Sequence, residues 1–231
     1  VVGVFDKKLL KLFANALKNL NIDFAWIVNS EDGLDEISPY AKTNVIQLKD
    51  NKISKISINP KEANNKKFAD DSLLVIENYL QRESVVALGE IGFDLISHQE
   101  EEIFKKQLLI ADKLKIPIII HTPHINKFEG TKKTFKIIEE SGVKQSRIIV
   151  DHNTEETIEL SLSYDVHAGI TVYPNTKLSP FRAVNIMKKY GTDKILINSS
   201  ADWGISDPLS VPKTALEMRS NGFSEKEINS I

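Results

Sequence analysis

The sequence contains no cysteine among its 231 residues. Disulfide bonds, thiolate metal sites and cysteine nucleophiles are therefore excluded within it, and a reducing, cytoplasmic compartment is the expected location. Long apolar runs are also absent. The longest are strand-length segments such as Ile116–Ile120, whereas a membrane span needs roughly 18 apolar residues. We therefore expect no membrane partner.

An excess of either charge is missing too. The 30 basic and 32 acidic residues are well mixed along the chain and give a net charge of −2. Since no basic face indicates a nucleic-acid partner, such a role has to be argued from a site. The composition leaves the oligomeric state open.

From Phe68 onward, short β-rich segments alternate with helical periodicity, which predicts a parallel sheet with crossover helices. The segment Glu100–Leu114 has apolar residues on one helical face and charges on the other. Strands are predicted at Val85–Gly89, Ile116–Ile120, Arg147–Val150, Val166–Val172 and Lys194–Asn198. The predicted fold class is α/β, and the chain length suits either one barrel or two small domains.

The first sixty residues follow a different pattern. We predict a strand at Val1–Val4, an amphipathic helix at Lys7–Leu20 and a second strand at Phe24–Val28. The β-rich segments Thr43–Leu48 and Ile53–Ile58 then flank a four-residue polar stretch, which is typical of an antiparallel hairpin. A purely βαβ architecture does not call for such a hairpin.

Four residues able to bind a metal stand at or just beyond the ends of predicted strands: Glu90, His121, His152 and Asp202. In a parallel α/β barrel the carboxyl ends of the strands converge on one face, so these side chains are expected to meet there. Two imidazoles and two carboxylates form a site for Zn²⁺, Mg²⁺ or Mn²⁺. The alternative is that they are unrelated polar residues that end buried strands, which is the commoner role of a single histidine.

The surrounding motifs resemble those of the TatD family in the amidohydrolase superfamily. They are Gly89-Glu90-Ile91-Gly92-Phe93-Asp94, Ile119-Ile120-His121-Thr122-Pro123, Val150-Asp151-His152-Asn153 and Ser200-Ala201-Asp202-Trp203-Gly204. The segments that begin at Ile58-Asn59-Pro60 and Asp202-Trp203-Gly204 are most similar to the TatD-related branch of the Ebo metabolite-export clusters. This resemblance runs from about Ile58 to the C-terminus and implies an incomplete TIM-type barrel.

The TatD resemblance implies one or two divalent metal ions, with Glu90, His121 and His152 as ligands. It implies that Asp202 both binds metal and accepts a proton from metal-bound water. His124, Asn153 and Trp203 are implied to support the ligands or to face substrate, although packing is an equal interpretation of Trp203. The implied substrate is a phosphoester, in a nucleic acid or a small molecule.

One ligand pair of the TatD pattern is not found. Members of the family carry His-x-His at the end of the first barrel strand, whereas no two of the five histidines here are two positions apart. Fewer ligands leave a coordination shell that the protein cannot close, so we expect weaker metal binding and impaired activity. The C-terminus is also expected to stop before the family's closing segment.

The first sixty residues resemble the C-terminal domain of anthranilate phosphoribosyltransferase. The most specific motif is Gly33-Leu34-Asp35-Glu36, and the resemblance implies that Asp35 and Glu36 derive from a Mg²⁺ site. Without it, adjacent acidic residues in a polar loop are ordinary solvated turn residues. No glycine-rich phosphate loop is present in the chain, which argues against phosphoribosyl transfer.

Both resemblances meet near Ile58-Asn59-Pro60, which predicts a chimera. We expect a transferase-like fragment over residues 1–60 and a hydrolase barrel, lacking its first strands, over residues 61–231. Two alternatives to a hydrolase remain at this point: a transferase fragment of tryptophan biosynthesis, and a non-catalytic chimeric chain.

Overall fold

The computed structural model describes residues 54–82, 85–173, 176–199 and 207–231. The elements predicted before Ser54 therefore lie outside the described residues. So do four of the residues proposed for function: Asp35, Glu36, Asp202 and Trp203.

Within the described residues, six parallel strands form one sheet in the order β1-β2-β3-β4-β5-β6. Every neighbouring pair is parallel, for example Ile118, Ile119 and Ile120 opposite Ile148, Ile149 and Val150. The strands are β1 Ser54–Ile56, β2 Val85–Gly92, β3 Ile118–His121, β4 Ile148–Val150, β5 His167–Thr171 and β6 Ile195–Asn198. This arrangement is part of a (β/α) barrel.

Helices connect the strands. They are α1 Pro60–Ala63, α2 Lys66–Leu80, α3 His98–Leu114, α4 Lys127–Ser141, α5 Ile158–Leu162, α6 Pro180–Tyr190, α7 Ser210–Ser220 and α8 Glu225–Ile228. A short 3₁₀ turn, Gln145–Arg147, precedes β4. None of the helices in the described ranges is both long and apolar enough to cross a bilayer.

The structure confirms all five strands predicted after Phe68, and it confirms the helix predicted at Glu100–Leu114. That helix begins two residues earlier, at His98, because Ser97 and Glu100 form a capping box. The predicted hairpin strand Ile53–Ile58 contains β1, which pairs in parallel with β2. Its predicted hairpin partner, Thr43–Leu48, lies outside the described residues.

A buried glutamine joins β1 to the rest of the sheet. Gln107 of α3 accepts a hydrogen bond from the Ile58 amide at 2.7 Å and donates one to the Ile58 carbonyl at 3.0 Å. Both backbone groups are thereby satisfied away from water, where an unpaired group would be costly. The chain just after β1 is therefore anchored to α3 through its main chain.

The interior divides into two apolar clusters. The first lies around β2, β3 and β4, and its largest buried side chains are Phe93, Phe104 and Phe135. The second lies around β5 and β6, is mainly aliphatic, and includes both methionines, Met187 and Met218. These clusters hold the strands whose carboxyl ends carry the site.

Candidate metal centre

Three of the four predicted ligands lie together at the carboxyl end of the sheet. Glu90 is near the end of β2, His121 is the last residue of β3, and His152 follows β4 by two residues. Each offers one ligand atom, and these atoms lie within 4.8 Å of one another. The parallel strands bring together residues that are 31 positions apart in the sequence in each case, as expected for one face of a barrel.

The Glu90 carboxylate lies between the two imidazoles. Oε2 is 3.8 Å from Nδ1 of His121, and Oε1 is 3.9 Å from Nε2 of His152. The imidazole rings of His121 and His152 meet edge to face, with centroids 4.8 Å apart. All three side chains are largely buried, so the cluster is shielded from bulk water.

His152 has an unusual backbone conformation. Its φ of 63° lies in the left-handed region, which costs a residue with a Cβ roughly 1–2 kcal/mol. The Asp151 carboxylate accepts a hydrogen bond from the His152 amide at 2.7 Å, and Lys127 donates one to the His152 carbonyl at 3.0 Å. The surrounding contacts therefore hold His152 in a conformation that its residue type disfavours.

A chain of hydrogen bonds orients the His152 ring. The Thr171 hydroxyl donates to Oδ1 of Asp151 at 3.2 Å and lies 2.6 Å from Nδ1 of His152. Since that hydroxyl proton is directed to Asp151, Thr171 accepts from a protonated Nδ1. The Nε2 lone pair is then directed toward Glu90, which is the arrangement of a metal-binding histidine with a second hydrogen bond.

Asp151 itself is fully bonded. Asn198 of β6 donates to both of its carboxylate oxygens, at 2.9 and 3.0 Å. Gly169 of β5 permits this position, because a Cβ there would collide with Oδ1 of Asp151. These donors hold the carboxylate in one orientation, so Asp151 is suited to orienting its neighbours.

The site keeps its histidines neutral. Burial, then the repulsion that a protonated His152 would exert, lowers the pKa of His121 well below its usual value. Burial, then the charge of Lys177, does the same to the pKa of His152. Neutral imidazole is the form that binds metal, so no proton competes at neutral pH.

The three side chains fit a divalent cation. Ligands of one tetrahedral zinc ion are about 3.4 Å apart, given bonds of 2.0–2.2 Å. The separations of 3.8 and 3.9 Å are close to that value. The separation of 3.8 Å is measured from Nδ1 of His121. The other nitrogen of that ring, Nε2, lies on the side of Asp94 and is buried without a hydrogen-bond partner within the described part of the chain.

Two further predicted residues are described. His124 is exposed, its ring centroid is 6.3 Å from that of His121, and burial followed by the charge of Lys177 lowers its pKa. Asn153 is buried, and its amide donates to the carbonyls of Val150 and Gly169. Asn153 also accepts from two hydroxyl groups of α5 and the turn before it, those of Ser161 and Thr157.

Sequence reasoning missed several residues of the site. Asp94 ends the motif that begins at Gly89, and its Oδ1 lies 4.0 Å from Nε2 of His121. Thr171, Asn198 and Lys177 carried no motif, because their partners are 19 to 47 positions away. Of these site residues, Asp151 and Asp94 could have been predicted from the sequence, because each is an acidic residue next to the end of a strand.

Comparison with known families gives one match over most of the chain. The family model described as TatD related DNase matches residues 18–204. A protein of Methanocaldococcus jannaschii, named an uncharacterised metal-dependent hydrolase, is 37% identical over 155 residues. That match covers 66% of this chain and 60% of the relative, so the chain spans well under the relative's full length.

The N-terminal part matches a different family. Anthranilate phosphoribosyltransferase of Pelagibacter ubique is 77% identical over 64 residues, which are 28% of this chain and 19% of that enzyme. The TatD-related model begins at residue 18 and so extends into this region. The identity of 77% is the stronger evidence there, and the chain combines segments similar to two families, as the motifs predicted.

Solved structures show the same fold. A TatD-like protein of Archaeoglobus fulgidus is 27% identical, with a TM-score of 0.59 over 76% of this chain and 66% of that one. The phosphotriesterase homology protein of Escherichia coli has a TM-score of 0.60 at 15% identity, over 78% of this chain and 71% of that one. At that identity the second likeness concerns the barrel alone.

Proposed function

The chain belongs to the TatD-related DNase family, and we propose that it is a metal-dependent hydrolase whose metal ligands are Glu90, His121, His152 and Asp202. The observation that carries the proposal is the convergence of the first three side chains, with ligand atoms within 4.8 Å of one another. Asp202 lies outside the described residues and enters through the TatD-like motif around it.

In this proposal each residue of the chain has a defined task. Glu90, His121 and His152 would hold one divalent cation, with Zn²⁺ or Mn²⁺ favoured over Mg²⁺ by the two imidazoles. A second ion would need ligands beyond these three. Bound metal would supply Lewis acidity and would lower the pKa of a water molecule toward neutral pH. Thr171 keeps Nε2 of His152 directed to the site, and Asp202 would take a proton at its carboxylate.

The proposed substrate is a phosphoester, either in a nucleic acid or in a small molecule. Family membership supports this class, while the balanced charge of the chain gives no preference for nucleic acid. We propose impaired activity, because the chain has no His-x-His pair. The cytoplasmic location rests on the cysteine-free composition alone.

We also propose a division of the chain into a transferase-like fragment, residues 1–60, and a hydrolase part, residues 61–231. The match to anthranilate phosphoribosyltransferase supports the first unit. It supports an origin for Asp35 and Glu36 in a Mg²⁺ site, but not a transferase activity, because the chain lacks a glycine-rich phosphate loop.

The test is a calorimetric titration of the full chain, freed of metal, with Zn²⁺ and Mn²⁺. Wild type should bind, and Glu90→Gln should weaken binding by about 100-fold, because a charged ligand is replaced by a poor one. The matched control is Glu102→Gln on the surface of α3, which should bind like wild type. Equal binding by wild type and Glu90→Gln would refute the site.

A second measurement separates a hydrolase from a non-catalytic chain. Metal-loaded wild type is assayed with bis(p-nitrophenyl) phosphate, and any metal-dependent release of nitrophenol should be lost in Glu90→Gln. If metal binds as proposed but no hydrolysis follows at any metal concentration, the chain is a non-catalytic metal-binding chimera.

A further inference from the structure

Three exposed apolar side chains follow the strands that carry Glu90 and His121. They are Leu95 in the loop after β2, Ile125 in the loop after β3, and Phe128 in the first turn of α4. These residues are 69%, 71% and 40% exposed, respectively. A single exposed apolar residue is ordinary in a soluble protein, whereas a group of them next to a candidate site calls for an explanation. We refer to Leu95, Ile125 and Phe128 together as the apolar rim.

The residue before each member of the apolar rim has a measured position at the cluster. Oδ1 of Asp94 lies 4.0 Å from Nε2 of His121. The ring centroid of His124 lies 6.3 Å from that of His121. Nζ of Lys127 donates to the His152 carbonyl at 3.0 Å. Since consecutive Cα atoms are about 3.8 Å apart, the apolar rim borders the same end of the sheet as the proposed ligands.

The loop that carries Leu95 is fixed by a buried carboxylate. Glu100 accepts hydrogen bonds from the Leu95 amide, at 3.0 and 3.2 Å, and from the Ser97 amide, at 3.1 Å. Between these two residues Ile96 has a φ of 61°, which is rare for a β-branched residue. The fold therefore holds an unfavourable backbone conformation directly beside an exposed leucine.

The loop that carries Ile125 has a similar construction. Asn126, directly after Ile125, has a φ of 50°, also in the left-handed region. The two loops meet at Gly130 of α4, where a Cβ would collide with Pro123 and would lie 3.2 Å from Cδ1 of Ile96. Unfavourable backbone that the surrounding contacts hold in place is concentrated at functional sites. Both exposed aliphatic side chains are therefore presented by loops whose shape is fixed.

We propose that the apolar rim binds an aromatic ring of the substrate, so that the chain acts on a small aryl phosphoester rather than on nucleic acid. The inference rests on the proposed function, which supplies the ester bond beside the rim. Burial of ring surface against Leu95 and Ile125 stabilises the complex, and Phe128 contacts the ring as a second aromatic group. The three side chains of the rim carry no hydrogen-bonding group, whereas the edge of a nucleobase is polar and is costly to bury without partners.

The first test measures binding of a neutral aromatic alcohol to the full chain freed of metal, so that the result does not depend on the metal centre. Ligand-observed NMR follows benzyl alcohol, with thymidine in parallel. Leu95→Ser and Ile125→Ser should each weaken binding of benzyl alcohol by about fivefold, because apolar contact surface is lost. Thymidine should bind more weakly than benzyl alcohol.

The control is Leu74→Ser, which changes an exposed leucine of α2. This helix leads to the amino end of β2, whereas the apolar rim lies at the carboxyl end, so the control should bind benzyl alcohol like wild type. Leu95→Ser keeps the backbone amide that donates to Glu100. Circular dichroism melting should therefore show that all three variants are folded.

A second measurement connects the apolar rim to the proposed function. With Mn²⁺ bound, wild type should bind phenylphosphonate about tenfold more tightly than methylphosphonate in calorimetry, because the phenyl ring buries more apolar surface. The double variant Leu95→Ser, Ile125→Ser should lose this preference and bind methylphosphonate like wild type.

The outcomes separate this proposal from the proposed function. If benzyl alcohol does not bind, or binds equally to wild type and both serine variants, the apolar rim is overturned, whatever the metal does. Rim-dependent binding of benzyl alcohol by a chain that binds no metal would support the rim and overturn the metal centre. Tighter binding of thymidine than of benzyl alcohol would overturn the small aryl substrate. Equal binding of the two phosphonates would overturn the role of the rim in substrate choice and leave the metal centre in place.

Discussion

The two parts of the sheet position the site by different means. Around β2 and β3, buried aromatic and aliphatic side chains pack beneath Glu90 and His121, and Phe93 meets Phe104 edge to face at 5.7 Å. Beyond β4, the residues near His152 are joined by buried hydrogen bonds among Asp151, Thr171 and Asn198.

This difference indicates how each ligand is held. Strand packing fixes Glu90 and His121, because each stands within a strand whose inward neighbours are apolar. His152 stands after its strand, in a left-handed conformation, and depends on directional contacts. A packed apolar core tolerates the exchange of one apolar side chain for another of similar volume, but not a large change in volume. A hydrogen-bond network is weakened by the loss of a single donor or acceptor atom.

The largest expected effect on stability comes from the apolar cluster around β2, β3 and β4. Phe104 is 1% exposed, so Phe104→Ala should lower the free energy of unfolding by about 4 kcal/mol. Met187→Ala in the second cluster should cost about 3 kcal/mol, since its side chain is smaller. Urea denaturation measures both. Leu109→Ala, at an exposed position of α3, is the control, and a loss no greater than this control's would contradict the role of the aromatic cluster.

The next largest effect concerns the buried hydrogen bonds that follow β4. Asn153→Ala removes an amide that makes four hydrogen bonds, and the buried hydroxyls of Thr157 and Ser161 lose the acceptor to which they donate. We expect a loss of about 3 kcal/mol in urea denaturation. The exposed Asn229→Ala should change stability by less than about 0.5 kcal/mol. A small loss at Asn153 would show that this region is not held by its polar contacts.

A third prediction concerns pH, and it applies to the metal-free chain. Folding lowers the pKa values of His121 and His152, so below about pH 6.5 the unfolded chain binds more protons than the folded one. The free energy of unfolding should therefore fall by about 2 kcal/mol between pH 6.5 and 5.5 for the two histidines together. Denaturation at several pH values measures this slope. His121→Asn should remove about half of it, and an unchanged slope would contradict the burial argument.

The smallest effect isolates the orientation of one ligand. Thr171→Val keeps the volume of the side chain but removes the hydroxyl that joins Asp151 to His152. Metal affinity should fall by about tenfold, with His152 itself still present. Thr214→Val, which loses a buried hydroxyl within α7, should bind metal like wild type. Equal affinities in the two variants would show that Thr171 does not orient the ring.

Sequence reasoning predicted the strands and the convergence of three proposed ligands, because both depend on local patterns. Apolar β-rich segments mark the parallel strands, and polar residues at their ends necessarily meet on one face. The network around His152 could not be predicted in this way, since Thr171 and Asn198 look like ordinary strand residues and bond to Asp151 only after folding. The same holds for Lys177, which a sequence presents as one of many surface lysines.

The contact between Gln107 and Ile58 bears on how two unrelated sequences can share one chain. Gln107 recognises the amide and carbonyl of residue 58, and every amino acid except proline offers both groups. A segment that ends in β1 can therefore be joined here without a matching side chain at position 58, because α3 binds the chain through its main-chain groups.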